Sequence, residues 1–359
     1  MKRAAQLAHV RQIASLELSG ATIMPALLRA VREFVDAGSA GFFWVDSEGD
    51  MTNLYAERSL PPHVMKAYFE KHYGDKPHAF REKFLERARA EDPVSSSSPS
   101  AEFMKTPYYR EILSLLEAHH VLYAVIREKS VPIGQLSLYR PRGAKAFSAA
   151  DRNAIRDISH YIAAAAARLP QAGQEGHFID GGDEGLVVTD ARGQLVQGSA
   201  SSLHLLTRSM QRSFNARTPP MALGDQVKGA AMVLVQRIEA QRKGKDTPPA
   251  RENIDGQWGR FVLSAFALDG NKKTPGAVGI HIRRKEPFMM RLVEAMAKLD
   301  LSPQQREVAL LLAQGKSNAE IAVALDVAAN TANYHVKQLF ARLDAHDRAE
   351  AVARIVPNH

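Results

Sequence analysis

The chain has 359 residues and no cysteine. That absence removes disulfides, thiolate metal sites, iron–sulfur clusters, cysteine nucleophiles and a cysteinyl-flavin photosensor together. Long apolar runs are missing as well. The longest small-residue stretch, Ala163 to Ala167, falls far short of the ~20 residues that a membrane span requires. Met1-Lys2-Arg3 carries the charge of a signal-peptide start, but His9, Arg11 and Gln12 interrupt any apolar region behind it, so an amphipathic helix is expected instead. A soluble cytoplasmic protein with no membrane partner is the resulting expectation. Catalytic signatures are also lacking: there is no nucleophile elbow, P-loop, dinucleotide-binding glycine set or metal-ligand helix. His119-His120 has no Glu partner at helical spacing. No enzyme activity, no metal and no cofactor are therefore expected, and no acidic receiver-type phosphorylation pocket is apparent.

One-signed charge is scarce too. The net charge of +8 is spread over the chain, with 23 basic and 19 acidic residues in 1–170 and 18 and 14 in 171–300. Residues 301–359 hold six of each. No basic tail exists to drive nucleic-acid binding by charge alone. An apolar content of 45% over this length suits two or three domains, each with its own core.

The last fifty-odd residues are the most patterned. Ser302-Pro303-Gln304-Gln305 is a capping box with proline at the first helical position, and Val308, Leu311, Leu312 and the more distant Leu301 form the apolar stripe of the helix it opens. Gly315 ends that helix. Ser317-Asn318-Ala319-Glu320 is a second box, opening a helix that buries Ile321, Ala322 and Leu325. A third helix carries Ala332, Val336, Leu339 and Leu343 on one inward face. Its other face shows Asn333, Tyr334, Lys337, Gln338, Ala341 and Arg342, with no carboxylate between Thr331 and Leu343. Such a face tolerates phosphate: Asn333 can bond an adenine edge bidentately, Lys337 can reach guanine or phosphate, and Tyr334 can pack on a thymine methyl. A fourth helix opens at Asp347-Arg348-Ala349-Glu350 and buries Ala351, Val352 and Ile355.

Leu301-Ser302-Pro303, Glu307-Val308, Gly315-Lys316-Ser317-Asn318, Glu320-Ile321-Ala322, Thr331, His335 and Arg348-x-Glu350-Ala351-Val352 resemble the LuxR/NarL/FixJ family of DNA-binding domains. The resemblance implies groove-facing residues at Asn333, Tyr334 and Lys337 and phosphate contacts near Ser317, Asn318 and Thr331. Three positions depart from the family pattern. Asn333 stands where many members have Lys, Ala328 where a Ser N-cap is frequent, and Asp344 where Gly is usual. With no net charge, a single domain should bind modestly and need a homodimer to engage two half-sites about one helical turn apart.

Upstream, Phe42 to Val45 and the turn Asp46-Ser47-Glu48-Gly49-Asp50 predict a hairpin, and Val121 to Ile126 with Val131 to Tyr139 a second strand pair. Helices are expected over Pro62–Tyr73 and Tyr108–His119, and a serine-rich loop over Pro93–Ser100. Gly134-x-Leu136-x-Leu138-x-Arg140, Phe147-Ser148-Ala149-Ala150-Asp151 and a helix with Ile155, Ile158 and Ile162 resemble the end of a GAF domain. That resemblance implies a small molecule held between sheet and loops, with Trp44, Tyr68, His72, Tyr73, Phe103, Tyr108 and Tyr109 as candidates. The domain can equally serve as a dimerisation platform, with the helix from Ile155 to Leu169 as its seam.

Pro170 to Gly185 holds five glycines and reads as a linker. Gly185 to Asp190, Gly193, Leu195 and Val196, then a short helix from Ser199 to Leu206, resemble the opening of a PAS domain. Phe261–Leu268 and Ala277–Arg283 would be its closing strands, and Asp225–Lys243 a long helical insertion. The expected architecture is multidomain: an α+β GAF-like sensor over 1–170, an α+β PAS-like sensor over 171–286, a linker helix over 287–300, and an all-α four-helix LuxR-type domain over 301–359. The function expected from this order is one-component transcriptional control, with double-stranded DNA, a small-molecule ligand, a second copy and RNA polymerase as partners. The alternative is control by a protein partner through the N-terminal domains.

Overall fold

The computed structural model describes residues 2–58, 77–169, 177–210, 223–256, 258–268 and 276–356. Two antiparallel sheets precede a helical C-terminal region.

Two helices, α1 (Lys2–Ser15) and α2 (Gly20–Phe34), come first. Ser19 caps α2 by accepting the Thr22 N–H at 3.2 Å. Ile23, Met24, Leu27, Leu28 and Val31 then recur at helical spacing and are all buried. Gly20 is needed for space: a Cβ there would lie 2.6 Å from the Ala166 carbonyl oxygen. The first sheet follows, with β1 (Ser39–Val45), β2 (Met51–Ala56), β3 (Val94–Ser97), β4 (His120–Glu128) and β5 (Val131–Arg140) in the order β2-β1-β5-β4-β3. Asp46 closes the β1–β2 hairpin by accepting the N–H groups of Glu48 and Asp50. Between β2 and β3 lies α3 (Pro77–Arg89), and after β5 comes α4 (Ala149–Ala166), opened by a Ser148/Asp151 capping box.

Alternation sorts the sheet into two faces. Ala40, Phe42, Leu122, Ala124, Ile126, Leu136 and Leu138 form one core with Ile155, Ile158 and Ile162 of α4 and the apolar stripe of α2. The second face carries Val121, Tyr123, Ser137 and Tyr139, near Leu113 and Tyr108. Arg140 ties the sheet to α2 by donating to the main-chain oxygens of Val35 and Asp36.

The second sheet contains β6 (Phe178–Thr189), β7 (Leu195–Gly198), β8 (Arg251–Gly256), β9 (Gly259–Leu268) and β10 (Ala277–Pro287), with α5 (Ala200–Met210) and α6 (Leu223–Arg242) between β7 and β8. Its order, β7-β6-β10-β9-β8, repeats that of the first sheet when strands are counted from each domain's start. The sheets meet at Trp258, in the β8–β9 turn, whose ring lies 5.1 Å from Tyr55 and 6.4 Å from Trp44. Arg208 of α5 donates to the Tyr55 hydroxyl at 3.0 Å. From β10 the chain passes into α7 (Phe288–Ala297), whose Glu294 pairs with Arg29 of α2 at 2.9 Å.

Several sequence expectations change. The helix expected over Tyr108–His119 is a π-helical turn over Tyr109–Leu113, ended by Glu117 in the left-handed region at φ 52°. The serine-rich loop contains β3, because Ser95, Ser96 and Ser97 suit a short polar edge strand paired with β4. The glycine-rich segment enters β6 at Phe178; Gly181 and Gly182 sit where the β6–β10 register shifts, with Gly182 at φ 76°. Ile155, Ile158 and Ile162 are fully buried within their own domain, so that face of α4 is not a seam between copies. The helix expected over Pro62–Tyr73 lies outside the described residues.

His9 of α1 is held neutral, its pKa lowered to about 4 by burial and then by Arg306 and Arg29. An unfolded histidine keeps its ordinary value of ~6.5. Its neutral burial therefore stabilises the fold fully above that value, and the contribution is lost as pH falls from 6.5 towards 4. Glu286, raised to about 7 chiefly by burial, acts in the opposite sense, so the histidine share is isolated by substitution. His9→Gln should lose less urea resistance than wild type between pH 7 and pH 5. Equal losses would mean that His9 titrates as a solvated side chain.

Candidate nucleic-acid interface

Four short helices follow α7. α8 (Pro303–Ala313) begins at a Ser302/Gln305 capping box, and α9 (Asn318–Ala324) at a Ser317/Glu320 box. The Ser317 backbone N–H and then its hydroxyl hold the Glu320 carboxyl below its usual range. α10 (Ala329–Leu343) starts at Ala328, which makes no side-chain cap. α11 (Arg348–Ile355) is capped by Asp347, whose carboxylate accepts the Glu350 N–H at 2.8 Å. Gly315 at φ 78° and Asp326 at φ 52° make the turns on either side of α9. Asp344, where glycine was noted as usual, adopts the left-handed conformation at φ 53° and still ends α10.

Leu301, Val308, Ala309, Leu312, Ile321, Ala322, Ala332, Val336, Leu339 and Ile355 are buried together, and Ala351 is buried as well. With one face of α10 so engaged, Thr331, Asn333, Tyr334, Lys337, Gln338, Ala341 and Arg342 are left exposed. Tyr334 is 59% exposed, high for an aromatic side chain. Ser317 is exposed and Asn318 half-buried. Several of the expected contact residues have protein partners: Ser317 is paired with Glu320, and Asn318 with Arg348 and Asn333. Arg342 donates to the main-chain oxygen of Asp300 at 3.0 Å and pairs with its carboxylate, and Asn333 accepts from Asn318 at 2.6 Å. A cleft of about 490 Å³ opens elsewhere, lined by Phe288, Leu312, Arg348, Val352 and Val356 among others, and draws no residue from α10.

Among the described residues, those expected to hold a ligand do not assemble as one group. Trp44 lies on the helix-covered face of the first sheet, where its Nε1 donates to the Ala166 carbonyl at 3.1 Å. Tyr108 belongs to the other face, packed with Tyr123 and Tyr139. Phe103 is 38% exposed and touches the rings of Tyr108 and Tyr109. Tyr68, His72 and Tyr73 lie outside the described residues. The second face does form a polar cluster of its own. The Arg87 guanidinium stacks 3.9 Å from the Tyr123 ring centroid and donates to Gln135 at 3.0 Å, and Gln135 donates to Ser137 at 3.2 Å. Burial pushes the Tyr108 hydroxyl up to about 12 and raises Tyr123 and Tyr139 too. Gln135 and Ser137 escaped sequence reasoning, although polar residues alternating with Leu136 and Leu138 in a buried strand were the available signal.

Residues 299–355 match the family described as "GerE: Bacterial regulatory proteins, luxR family". They form a LuxR-type helix-turn-helix domain. A stretch of 51 residues is 41% identical to the "Putative HTH-type transcriptional regulator YhjB" of Escherichia coli (strain K12), or 14% of this chain. The chain thus spans about a quarter (26%) of that relative's length. Among solved structures, the Vibrio cholerae VqmA dimer in the absence of target DNA aligns at 11% identity over 49% of this chain and 82% of its own, with a TM-score of 0.19. The phage VqmA–DPO complex aligns at 12% identity over 49% and 81%, at 0.20. A sensor region of a sensor histidine kinase aligns at 13% identity over 71% and 91%, also at 0.20. Scores this low place no constraint on the two sheet domains, and the luxR-family assignment rests on the C-terminal match.

The bare cap of α10 in this luxR-family domain offers a direct test. Ala328 has the extended φ −65°, ψ 149° of a capping residue. Ala328→Ser should therefore add about 1 kcal/mol to helix stability. Amides in the first turns of α10 should exchange with deuterium about fivefold more slowly. Unchanged exchange would mean that opening of α10 is not limited at its start.

Proposed function

We propose that the chain is a one-component, sequence-specific transcriptional regulator that works as a homodimer. The observation that carries this reading is the exposed face of α10, where Thr331, Asn333, Tyr334, Lys337 and Gln338 stand together without a carboxylate. Lys337 neutralises a phosphate or reaches guanine, Asn333 and Tyr334 meet base edges, and Ser317, Asn318 and Thr331 lie where backbone phosphates run. Arg342 joins them by exchanging Asp300 for phosphate; both partners of that ion pair are largely solvated, so the exchange costs little. Equal numbers of acidic and basic residues from 301 to 359 make a single domain a weak binder. Two copies on paired half-sites supply the missing affinity.

The two sheet domains are GAF-like and PAS-like sensors in this reading, supported by their shared strand order. The ligand site is the second face of the first sheet. Arg87 there supplies a cation, Tyr108, Tyr123 and Tyr139 apolar walls with polar tips, and Gln135 a hydrogen-bonding group. Its ligand is a small molecule with an anionic or strongly accepting group. Trp258 and α7 lead from that sheet to the DNA-binding domain, and a coupling of ~1–3 kcal/mol between the sites suffices for control.

Lys337→Ala tests the DNA surface. Full-length protein titrated against a selected duplex at several salt concentrations should lose affinity. If Lys337 touches phosphate, the slope of log K against log salt should shrink by about 0.9 per protomer, or about 1.8 for the dimer. If it reads an edge, one base position should relax while the slope holds. A variant that binds like wild type in both respects would remove Lys337 from the interface.

Native mass spectrometry tests the sensor. A dimer carrying a defined extra mass that Arg87→Met loses, while DNA affinity changes with occupancy, is the expected result. A mass retained in Arg87→Met puts the ligand elsewhere. Apo protein whose DNA affinity responds only to an added protein favours control by a partner.

A further inference from the structure

Three side chains connect α11 to the exposed face of α10. The Arg348 guanidinium donates to the main-chain oxygen of Lys316 and to Oδ1 of Asn318, each at 2.5 Å. Nδ2 of Asn318 then donates to Oδ1 of Asn333 at 2.6 Å. The direction of this chain is dictated by chemistry. A guanidinium has donors and no acceptor, so the end of the Asn318 amide that faces it must be the oxygen. The other end is an NH2 group, which requires an acceptor from its neighbour. Asn333 therefore turns its Oδ1 inward and leaves its own NH2 towards solvent. Among the described residues no other hydrogen bond engages the Asn333 side chain, which is exposed.

We propose that Arg348 is a specificity-determining positioning residue: acting through Asn318, it presents Asn333 to DNA as a donor only, so that the base read there is guanine. This rests on the reading of α10 as the groove-facing helix. An unrestrained asparagine reads adenine with one donor and one acceptor, N6–H to its oxygen and N7 from its NH2. Here the oxygen is turned inward towards Asn318, away from the groove. The remaining NH2 matches the two acceptors of guanine, O6 and N7, better than the mixed edge of adenine, and it opposes the N4 amine of cytosine. Arg348 itself stays behind the surface, half-buried, and touches no base.

Reversing the chain's direction tests the idea. In Asn318→Asp the carboxylate still accepts from Arg348, but its second oxygen now needs a donor. Asn333 must rotate its NH2 inward and present Oδ1 to the groove. Selection from a random duplex library with full-length wild type, Asn333→Ala, Asn318→Asp and Arg348→Met reads the outcome. Wild type should prefer guanine at one position of each half-site, and Asn333→Ala should lose that preference. Asn318→Asp should switch it roughly tenfold towards an amine-bearing base, adenine or cytosine, and Arg348→Met should leave guanine and adenine nearly equal. Should Arg348→Met fail to fold, Asn318→Asp decides alone. If that position depends on Asn333 and stays guanine in Asn318→Asp, the relay does not orient the amide and the proposal falls. It falls too if Asn333→Ala leaves the preference unaltered. Failure of the regulator reading itself is distinct: wild type would then enrich no sequence at all.

Discussion

Helix α7 is ten residues long, and its Met290, Leu292, Val293 and Met296 are all but fully buried. Ten residues cannot hold a helix in water unaided, so α7 exists because α1, α2 and the neighbouring helices of the C-terminal domain cover it. That packing is what joins the sheet domains to the helix-turn-helix. A linker of polar residues would let the DNA-binding domain tumble freely, and no event in the sheets could reach it. A buried helix transmits displacement, because close-packed side chains respond to a shift by repacking rather than by bending. The Arg29–Glu294 pair adds registry more than strength, since Arg29 is 51% exposed and a solvated pair contributes little.

The two sheet domains share a strand order and put it to different use. Both faces of the first sheet carry buried residues. In the second, Val187, Phe261, Leu263, Ile280 and Ile282 are buried, while Leu186 and Phe266 on the opposite face stay exposed. A sheet with a polar cluster under cover is suited to hold a small molecule, and a sheet with one open face to lie against another surface. Trp258 links the two through its contacts with Trp44 and Tyr55. Its backbone oxygen accepts from the buried Arg284 at 2.9 Å, which keeps the ring's hairpin tied to β10 and hence to α7.

Legibility in the sequence followed how local each determinant was. Capping boxes at Ser302 and Ser317 and the heptad-like spacing of Ala332, Val336 and Leu339 are short-range signals, and the C-terminal domain was readable almost residue by residue. The hairpin at Asp46 was equally plain, because its turn is closed by its own side chain. What depended on tertiary contact was not. Ser95 to Ser97 form a strand only because β4 is beside them, and α2 went unnoticed with Pro25 inside it. The described ligand candidates fall on different faces for a related reason. Aromatic residues can be picked from a sequence, but whether Trp44 and Tyr108 share a face depends on strand register and on which helices cover each side. The Arg348–Asn318–Asn333 chain was likewise out of reach, since its members come from three helices.

The junction between β10 and α7 holds one group that works against the packing around it. Glu286 is 5% exposed, its Oε1 has no hydrogen-bond partner, and its nearest cation, Arg291, stands 3.8 Å away. Two effects compete at this carboxyl. The start of α7, two residues on, favours a negative charge, typically by about 0.3–1 kcal/mol. Burial disfavours that charge, and Glu294 repels it. The pKa is raised to about 7 in spite of Arg284 and Arg291, so burial, with the repulsion of Glu294, outweighs both cations together. Glu286 therefore does not act as an ionic clasp for α7. The junction is held by apolar contacts, which permit small sliding movements that a tight ion pair would resist, and the proposed transmission through α7 would draw on that freedom.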